Sequence, residues 1–155
     1  MLNPAFEAFH RIAEDLTDLE LSHIWQGHGS SLFLEFGPLK ERRLYDGAPG
    51  KPAGLISIGL DYAWRVEQQN RVLCGSDGDT RLWSDIWPRL IGKRAAMMEL
   101  SGAIPELHLT LTDQERLCSF SLDEDGPKWA IADNRQSPSL WVYWKNGALC
   151  RDEEL

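Results

Sequence analysis

The chain has 155 residues, 16 basic and 24 acidic, for a formal charge of −8; 43% are apolar and 26% charged. That is the composition of one ordinary globular domain, and a chain this long buries roughly 70% of its unfolded surface without metals or disulfides. Disorder, collagen-like repeats and a disulfide scaffold are excluded.

Leu2, Ala5, Phe6, Phe9, Ile12, Ala13, Leu16 and Leu19 recur at three- and four-residue steps. That spacing predicts a helix over residues 1–19, with Asn3 as its cap and Pro4 at its first position. Beyond residue 19 the period falls to two. Leu32, Leu34 and Phe36 alternate with more polar neighbours, as do Ile56, Ile58 and Leu60, and then Tyr62, Trp64 and Val66. These read as strands with one buried face, and Gln69-Asn70 turns the chain into a short strand at 71–74. Residues 37–54 hold three prolines and four glycines and read as a loop around one weak strand near 40–45.

A second helical patch follows. Leu82, Trp83, Ile86, Trp87, Leu90 and Ile91 share a face, Asp79 or Thr80 caps it, and Gly92 stops it. Pro88 is expected to kink or split it. Then Leu107, Leu109 and Leu111 alternate with Glu106, His108, Thr110 and Thr112, and a strand over 118–122 carries Cys118, Phe120 and Leu122. Residues 123–127 are a loop, Trp129 and Ile131 open another strand, and 141–144 form the last strong one. Asn146-Gly147 is a hairpin signal, and residues 151–155 are expected to fray.

The two strand-rich halves resemble each other. Glu20-Leu21-Ser22 recurs as Glu99-Leu100-Ser101, Leu32-Phe33-Leu34-Glu35 aligns with Leu107-His108-Leu109-Thr110, and Trp64-Arg65-Val66-Glu67 with Trp129-Ala130-Ile131-Ala132. The chain therefore reads as one domain over 1–155: helix 1–19, first β half 20–76, helical linker 77–93, second β half 94–150. The fold class is α+β, mainly β. Its N-terminal helix is followed by two antiparallel β halves, an internal duplication, which pack as two sheets or close into a barrel-like core.

Acidity argues against nucleic acid, whose binders carry a basic stripe. The one dense basic cluster, Lys40, Arg42 and Arg43, is interrupted by Glu41. An acidic exterior instead favours encounter with a basic protein partner. Cys74, Cys118 and Cys150 are odd in number and widely spaced, which predicts reduced thiols and no zinc site. No apolar run approaches the ~20 residues of a membrane span, and no signal peptide is read at the start. A cytoplasmic protein with no membrane association is the expectation, and nothing in the spacing sets an oligomeric state.

The chemistry-bearing motifs are fragmentary. His23 and His28 flank Trp25, but a five-residue gap in a strand-turn context sets the two rings on opposite faces, so no metal site is read. Gly27-His28-Gly29-Ser30-Ser31 lacks the lysine and following helix of a phosphate loop. Ser76-Asp77-Gly78-Asp79-Thr80 lacks the distal glutamate of a calcium loop. Ser30 or Ser31 with His28 has no nucleophile elbow to present it, which leaves a hydrolase as the weakest reading. No cofactor is implied. More informative are seven tryptophans, each a large apolar surface that is either core or recognition face. Trp141 and Trp144 point to opposite faces of one regular strand. Glu35 and Arg65 interrupt apolar strands; if their faces meet, they pair across a sheet or orient a ligand inside a barrel.

The segment from Ile24 to Gly37 contains the pattern W-x-G-x-G-S-x-x-F-L-E-F. Together with Trp64-Arg65-Val66-Glu67 and Gly75-Ser76, it resembles a family of small bacterial proteins of uncharacterised function. That resemblance implies no catalytic residue. The leading expectation is a non-enzymatic acidic binding or accessory protein that engages a protein partner. The alternative is a β-barrel-like carrier of a small apolar ligand. Trp25, His28, Glu35, Arg65, Trp141 and Trp144 are the candidate binding residues in either case.

Overall fold

The computed structural model describes residues 3–153; Leu2, assigned by spacing to the first helical face, and the last two residues lie outside that range. Asn3 caps α1 (Pro4–Leu16) by accepting the Ala5 N–H at 2.9 Å. The chain then runs through β1 (Leu21–Gln26), β2 (Leu32–Phe36), β3 (Ile56–Leu60), β4 (Trp64–Gln68) and β5 (Arg71–Gly75). After α2 (Thr80–Leu90) come β6 (Ala95–Ser101), β7 (Glu106–Leu111), β8 (Glu115–Ser119), β9 (Trp129–Asp133), β10 (Leu140–Lys145) and β11 (Ala148–Glu153). The strands form two antiparallel sheets, one of six in the order β1-β2-β3-β9-β10-β11 and one of five in the order β5-β4-β8-β7-β6. The mainly-β α+β architecture with two sheets holds. Among the described residues no strand pairing joins β5 to β11, so the sheets do not close into a barrel.

The sheets do not coincide with the chain halves. Strands β4 and β5 leave the sheet of β1–β3 and join β6–β8, while β9–β11 leave that second sheet and join the first. Residues 61–63 and 120–128 make the two crossings, so each central pair, β3–β9 and β4–β8, joins strands of opposite halves. The two halves nonetheless share one plan, helix, three-strand meander and crossing pair, with β11 as the extra strand of the second half. A register shift falls after Leu21 in the β1–β2 pair and after Ala95 in the β6–β7 pair. The halves meet antiparallel at a Glu20–Arg94 bridge. There the Leu21 N–H bonds the Lys93 carbonyl (2.7 Å), and its counterpart runs from the Ala95 N–H to the Leu19 carbonyl (2.9 Å). Leu21 is thus equivalent to Ala95, and the match of Glu20-Leu21-Ser22 to Glu99-Leu100-Ser101 is a coincidence of letters. The other two matches survive: Leu32 and Leu107 occupy equivalent positions, as do Trp64 and Trp129.

One continuous core joins both inner sheet faces and both helices. Phe9, Ile12 and Leu16 of α1 and Trp83, Ile86 and Leu90 of α2 are buried at equivalent helical positions. Trp129 meets Phe9 edge-on at 6.0 Å, and Trp64 meets Trp83 at 5.1 Å. The two strand tryptophans also carry equivalent hydrogen bonds. The Trp64 indole N–H donates to the Ser30 carbonyl (2.7 Å) and that of Trp129 to the Pro105 carbonyl (2.8 Å). Each ties a crossing strand to a hairpin turn of the sheet it has just left.

Several local expectations change. Pro88 does not break α2, because only two helical residues follow it, and the Ile91 N–H still bonds the Trp87 carbonyl. The helix ends at Ile91, which is already extended (φ −62°, ψ 132°); Gly92, expected as the stop, takes φ +98° in the turn closed by the Lys93 N–H to the Leu90 carbonyl at 3.1 Å. The strand expected over 118–122 is instead β8; Leu117 and Ser119 face inward, and Phe120 and Leu122 are exposed. Residues 151–153, expected to fray, belong to β11, the return arm of the Asn146-Gly147 hairpin. The cysteines are free thiols. Among the described residues no helix is long and apolar enough to cross a membrane.

Replacing either Trp64 or Trp129 with Phe removes a buried indole bond and part of the ring volume. Each variant is expected to lose about 1–3 kcal/mol in urea unfolding, with the two losses matching to about 1 kcal/mol because the sites are equivalent.

Candidate functional site

Strand alternation fixes what the six-stranded sheet shows on its outer side. Leu32, Leu34 and Phe36 of β2, Ile56, Ile58 and Leu60 of β3, and Trp129 and Ile131 of β9 all point inward. Their neighbours point out, and the strand register aligns them in rows. One row runs Trp25, Phe33, Gly59, Ala130, Tyr143; the next runs His23, Glu35, Ser57, Ala132, Trp141. Small residues on the two central strands thus form a floor, with aromatic rings standing on either side.

The near wall is a stack. Trp25 and Phe33 lie face to face, 4.2 Å between centroids and 13° from parallel, and the Arg42 guanidinium sits over Trp25 at 5.5 Å. Phe33 lies flat over two glycines. A Cβ on Gly27 would come within 2.6 Å of its ring and one on Gly59 within 3.2 Å. A cleft of about 260 Å³ opens beside it, bounded by Phe33, Gly59, Ala130 and Trp144, with Asp61 and Lys128 at its rim. On the far wall Tyr143 donates its hydroxyl hydrogen to Asp152.

The five-stranded sheet provides an internal comparison, because its outer positions are equivalent. Where the first sheet has Trp25, Phe33, Ala130 and Gly59, the second has Glu99, His108, Arg65 and Cys118. That face is a charge network: Arg65 binds Glu67 at 2.7 Å, and Arg116 lies 2.7 Å from His108 Nδ1 and 4.0 Å from Glu99. Burial first, and then Arg116, holds the His108 pKa below its ordinary value. Burial likewise pushes the Cys74 and Cys118 thiols up to about 11, which makes them poor nucleophiles.

The halves also differ in their connections. Strands β7 and β8 are joined by residues 112–114, whereas β2 and β3 are joined by residues 37–55. The longer segment is a projecting hairpin with bridges Lys40–Ala53 and Arg43–Pro49. Its base is tied down by Glu35, whose Oε1 accepts the Gly54 N–H at 3.3 Å and the Ser57 hydroxyl. Asn134 Nδ2 donates to Ser57 (2.8 Å) and to the Gly54 carbonyl (3.1 Å), and Ser139 donates to Asn134 (2.9 Å). Glu35 is 1% exposed. Desolvation raises its pKa, opposed by the Ser57 and Gly54 bonds and by Arg42. The Trp25 indole nitrogen is buried and makes no hydrogen bond.

Of the six residues singled out by sequence, Trp25 and Trp141 lie on this face at opposite sides, on β1 and β10, and Trp144 borders its cleft. Trp144 has inward parity but reaches the cleft from the end of β10. His28 is exposed at the tip of the β1–β2 turn, away from the aromatic rows. Glu35 and Arg65 do not meet: they lie on the outer sides of different sheets, and each has its own partner. Glu35 anchors backbone rather than lining a barrel, because the strand exchange sends β4 away from β2. Sequence reasoning missed Phe33, Gly59, Ala130, Tyr143 and Arg42. A glycine within an otherwise apolar strand was the available signal, since it marks a close approach by another group.

No protein-family model, curated protein or solved structure matches this chain.

A carboxyl whose folded pKa is raised favours folding while protonated, and that contribution is lost as the pH climbs through the folded value. Glu35→Gln keeps an oxygen acceptor for Gly54 and Ser57 without the charge. The variant is expected to be at least as stable as the natural protein at pH 7, with the difference narrowing toward pH 4, as measured by urea unfolding at both values.

Proposed function

We propose that this chain is a non-enzymatic binding protein that engages a protein partner through the outer face of its six-stranded sheet. What supports the reading is the divergence between two faces built on one plan. The charged outer face of the second sheet indicates that the fold itself does not require aromatic rings at these positions. Rigid aromatic side chains around a floor of small residues are the usual makings of an interface hot spot. They carry large contact area at low cost in conformational entropy, and the stacking of Trp25 between Phe33 and Arg42 holds one of them in place.

A second reading, carriage of a small apolar ligand, draws on the open cleft beside Phe33 and Trp144. It differs from a barrel carrier, since the inner faces are filled by Trp64, Trp129, Phe9 and Phe36. At about 260 Å³ the cleft falls just below the ~300–1,000 Å³ of ordinary ligand sites, and it fits better as a socket for one partner side chain.

The test uses p-benzoylphenylalanine placed at Tyr143 and, on the outer side of the other sheet, at Val72. Irradiation in the native host is expected to give one discrete protein adduct from position 143 and none from position 72. Equal adducts from both positions, or none from either, would overturn the reading.

A further inference from the structure

The partner's charge is not set by the net charge of −8. Screening confines interactions between exposed charges to about 8 Å at physiological salt, so the groups that border the aromatic face decide. On the hairpin side of the face those groups are positive; the acids that border it elsewhere, Asp61 and Asp152, accept hydrogen bonds from Ser31 and Tyr143. The hairpin over residues 37–55 brings Arg42 and Lys51 to the β1 side of the face, and neither makes an ion pair with a described residue. Arg42 is fixed by its Nε–H bond to the Lys51 carbonyl (3.1 Å) and by its seat over Trp25. Lys51 also lowers the pKa of His23, second to burial, which places its charge against the outer row. Of the acids on the hairpin, Glu41 pairs with Arg43 at 3.2 Å, and Asp46 sits in the tip turn, where it accepts the Ala48 N–H at 2.9 Å.

Beside these cations lies an open cleft of about 360 Å³, bounded by Trp25, Arg42, Leu44, Pro49, Gly50 and Lys51. At the hairpin tip Leu44 is half exposed and Tyr45 fully so. The other half of the chain folds without any such segment.

Building on the binding role argued above, we propose that the cleft between Trp25 and the hairpin seats an acidic segment of the partner protein, an apolar side chain packing on Trp25 and Leu44 and flanking carboxylates meeting Arg42 and Lys51. Guanidinium–carboxylate pairing of this kind gives direction as well as attraction. It also explains why an acidic protein keeps unpaired cations on one inserted hairpin.

The test is ¹⁵N NMR titration of the intact protein with two labelled pentapeptides, Glu-Asp-Phe-Asp-Glu and Lys-Arg-Phe-Arg-Lys. The acidic peptide is expected to shift the Trp25 indole N–H and the amides of residues 40–51 saturably, with the basic peptide silent there. Arg42→Glu together with Lys51→Glu is expected to weaken the acidic peptide at least tenfold, while Arg116→Glu on the opposite sheet leaves it unchanged. Preference for the basic peptide, equal shifts around Arg65 and Arg116, or tighter binding of a polyuridine oligomer to the same amides would overturn the proposal. So would concentration-dependent shifts of these amides in the free protein, which would mark a second copy as the occupant. Repeating the Tyr143 photo-crosslink in the Arg42/Lys51 double variant separates the two readings. A full-strength adduct there sinks the acidic-segment proposal alone, whereas absence of any adduct from the natural hairpin sinks the binding role itself.

Discussion

The fold depends on one constraint: each half of the chain must hand its later strands to the sheet founded by the other half. A chain that does this can build a three-stranded meander from either half but cannot complete either sheet without the other. It places a tryptophan at the start of each crossing strand, where the ring is buried against a helix and its N–H reaches back to a turn of the sheet just left. A buried indole needs an acceptor, and a carbonyl exposed on the inner side of a hairpin turn needs a donor. The crossing satisfies both at once, twice. The inner faces are thereby committed to one interlocked core.

That commitment frees the outer faces. Positions that point away from the core tolerate change without disturbing pairing or register, and the two sheets have used the freedom differently. One outer face is a charge network, in which Arg65 pairs with Glu67 and Arg116 with His108. The other carries unsupported-looking aromatic rings over glycine and alanine. Because both sit on equivalent backbones, the contrast separates what folding needs from what a further role needs, a separation that a single sheet would not permit. The connections tell the same story: the projecting hairpin between β2 and β3 has only residues 112–114 as its counterpart.

Much of this was legible in the residues. The alternation of Leu32, Leu34 and Phe36, and of Leu107, Leu109 and Leu111, carries the two-sided character of β2 and β7 directly, and Asn3-Pro4 marks the start of α1. Strand β6 was harder to see, since Met97 and Glu99 are exposed and only Ala95 and Met98 are buried, with the register shift between them breaking the two-residue period. Strand exchange was not legible at all. Pairing partners are set by tertiary geometry, so Glu35 and Arg65, both polar intruders in apolar strands, looked like a pair while belonging to different sheets. The aromatic face was half legible: Trp25 and Trp141 stood out as residues, but the floor of Gly59 and Ala130 acquires meaning only once β3 and β9 are known to be neighbours.

Glu35 then takes on a different character. A carboxyl 1% exposed is costly to bury, and its structural equivalent in the other half is Thr110, which carries no charge. The difference coincides with the inserted hairpin. Through Gly54, Ser57 and Asn134 the carboxyl clamps the return arm of that hairpin to the sheet, one strand away from Trp25. Fixing the base while leaving Leu44 and Tyr45 exposed at the tip leaves Arg42 seated over the Trp25 ring. A flexible hairpin of the same composition would leave these groups unplaced, since holding them in one geometry costs entropy for every residue fixed. The buried acid is therefore best understood as the stability sacrificed to keep the aromatic and cationic groups of this face in register with each other.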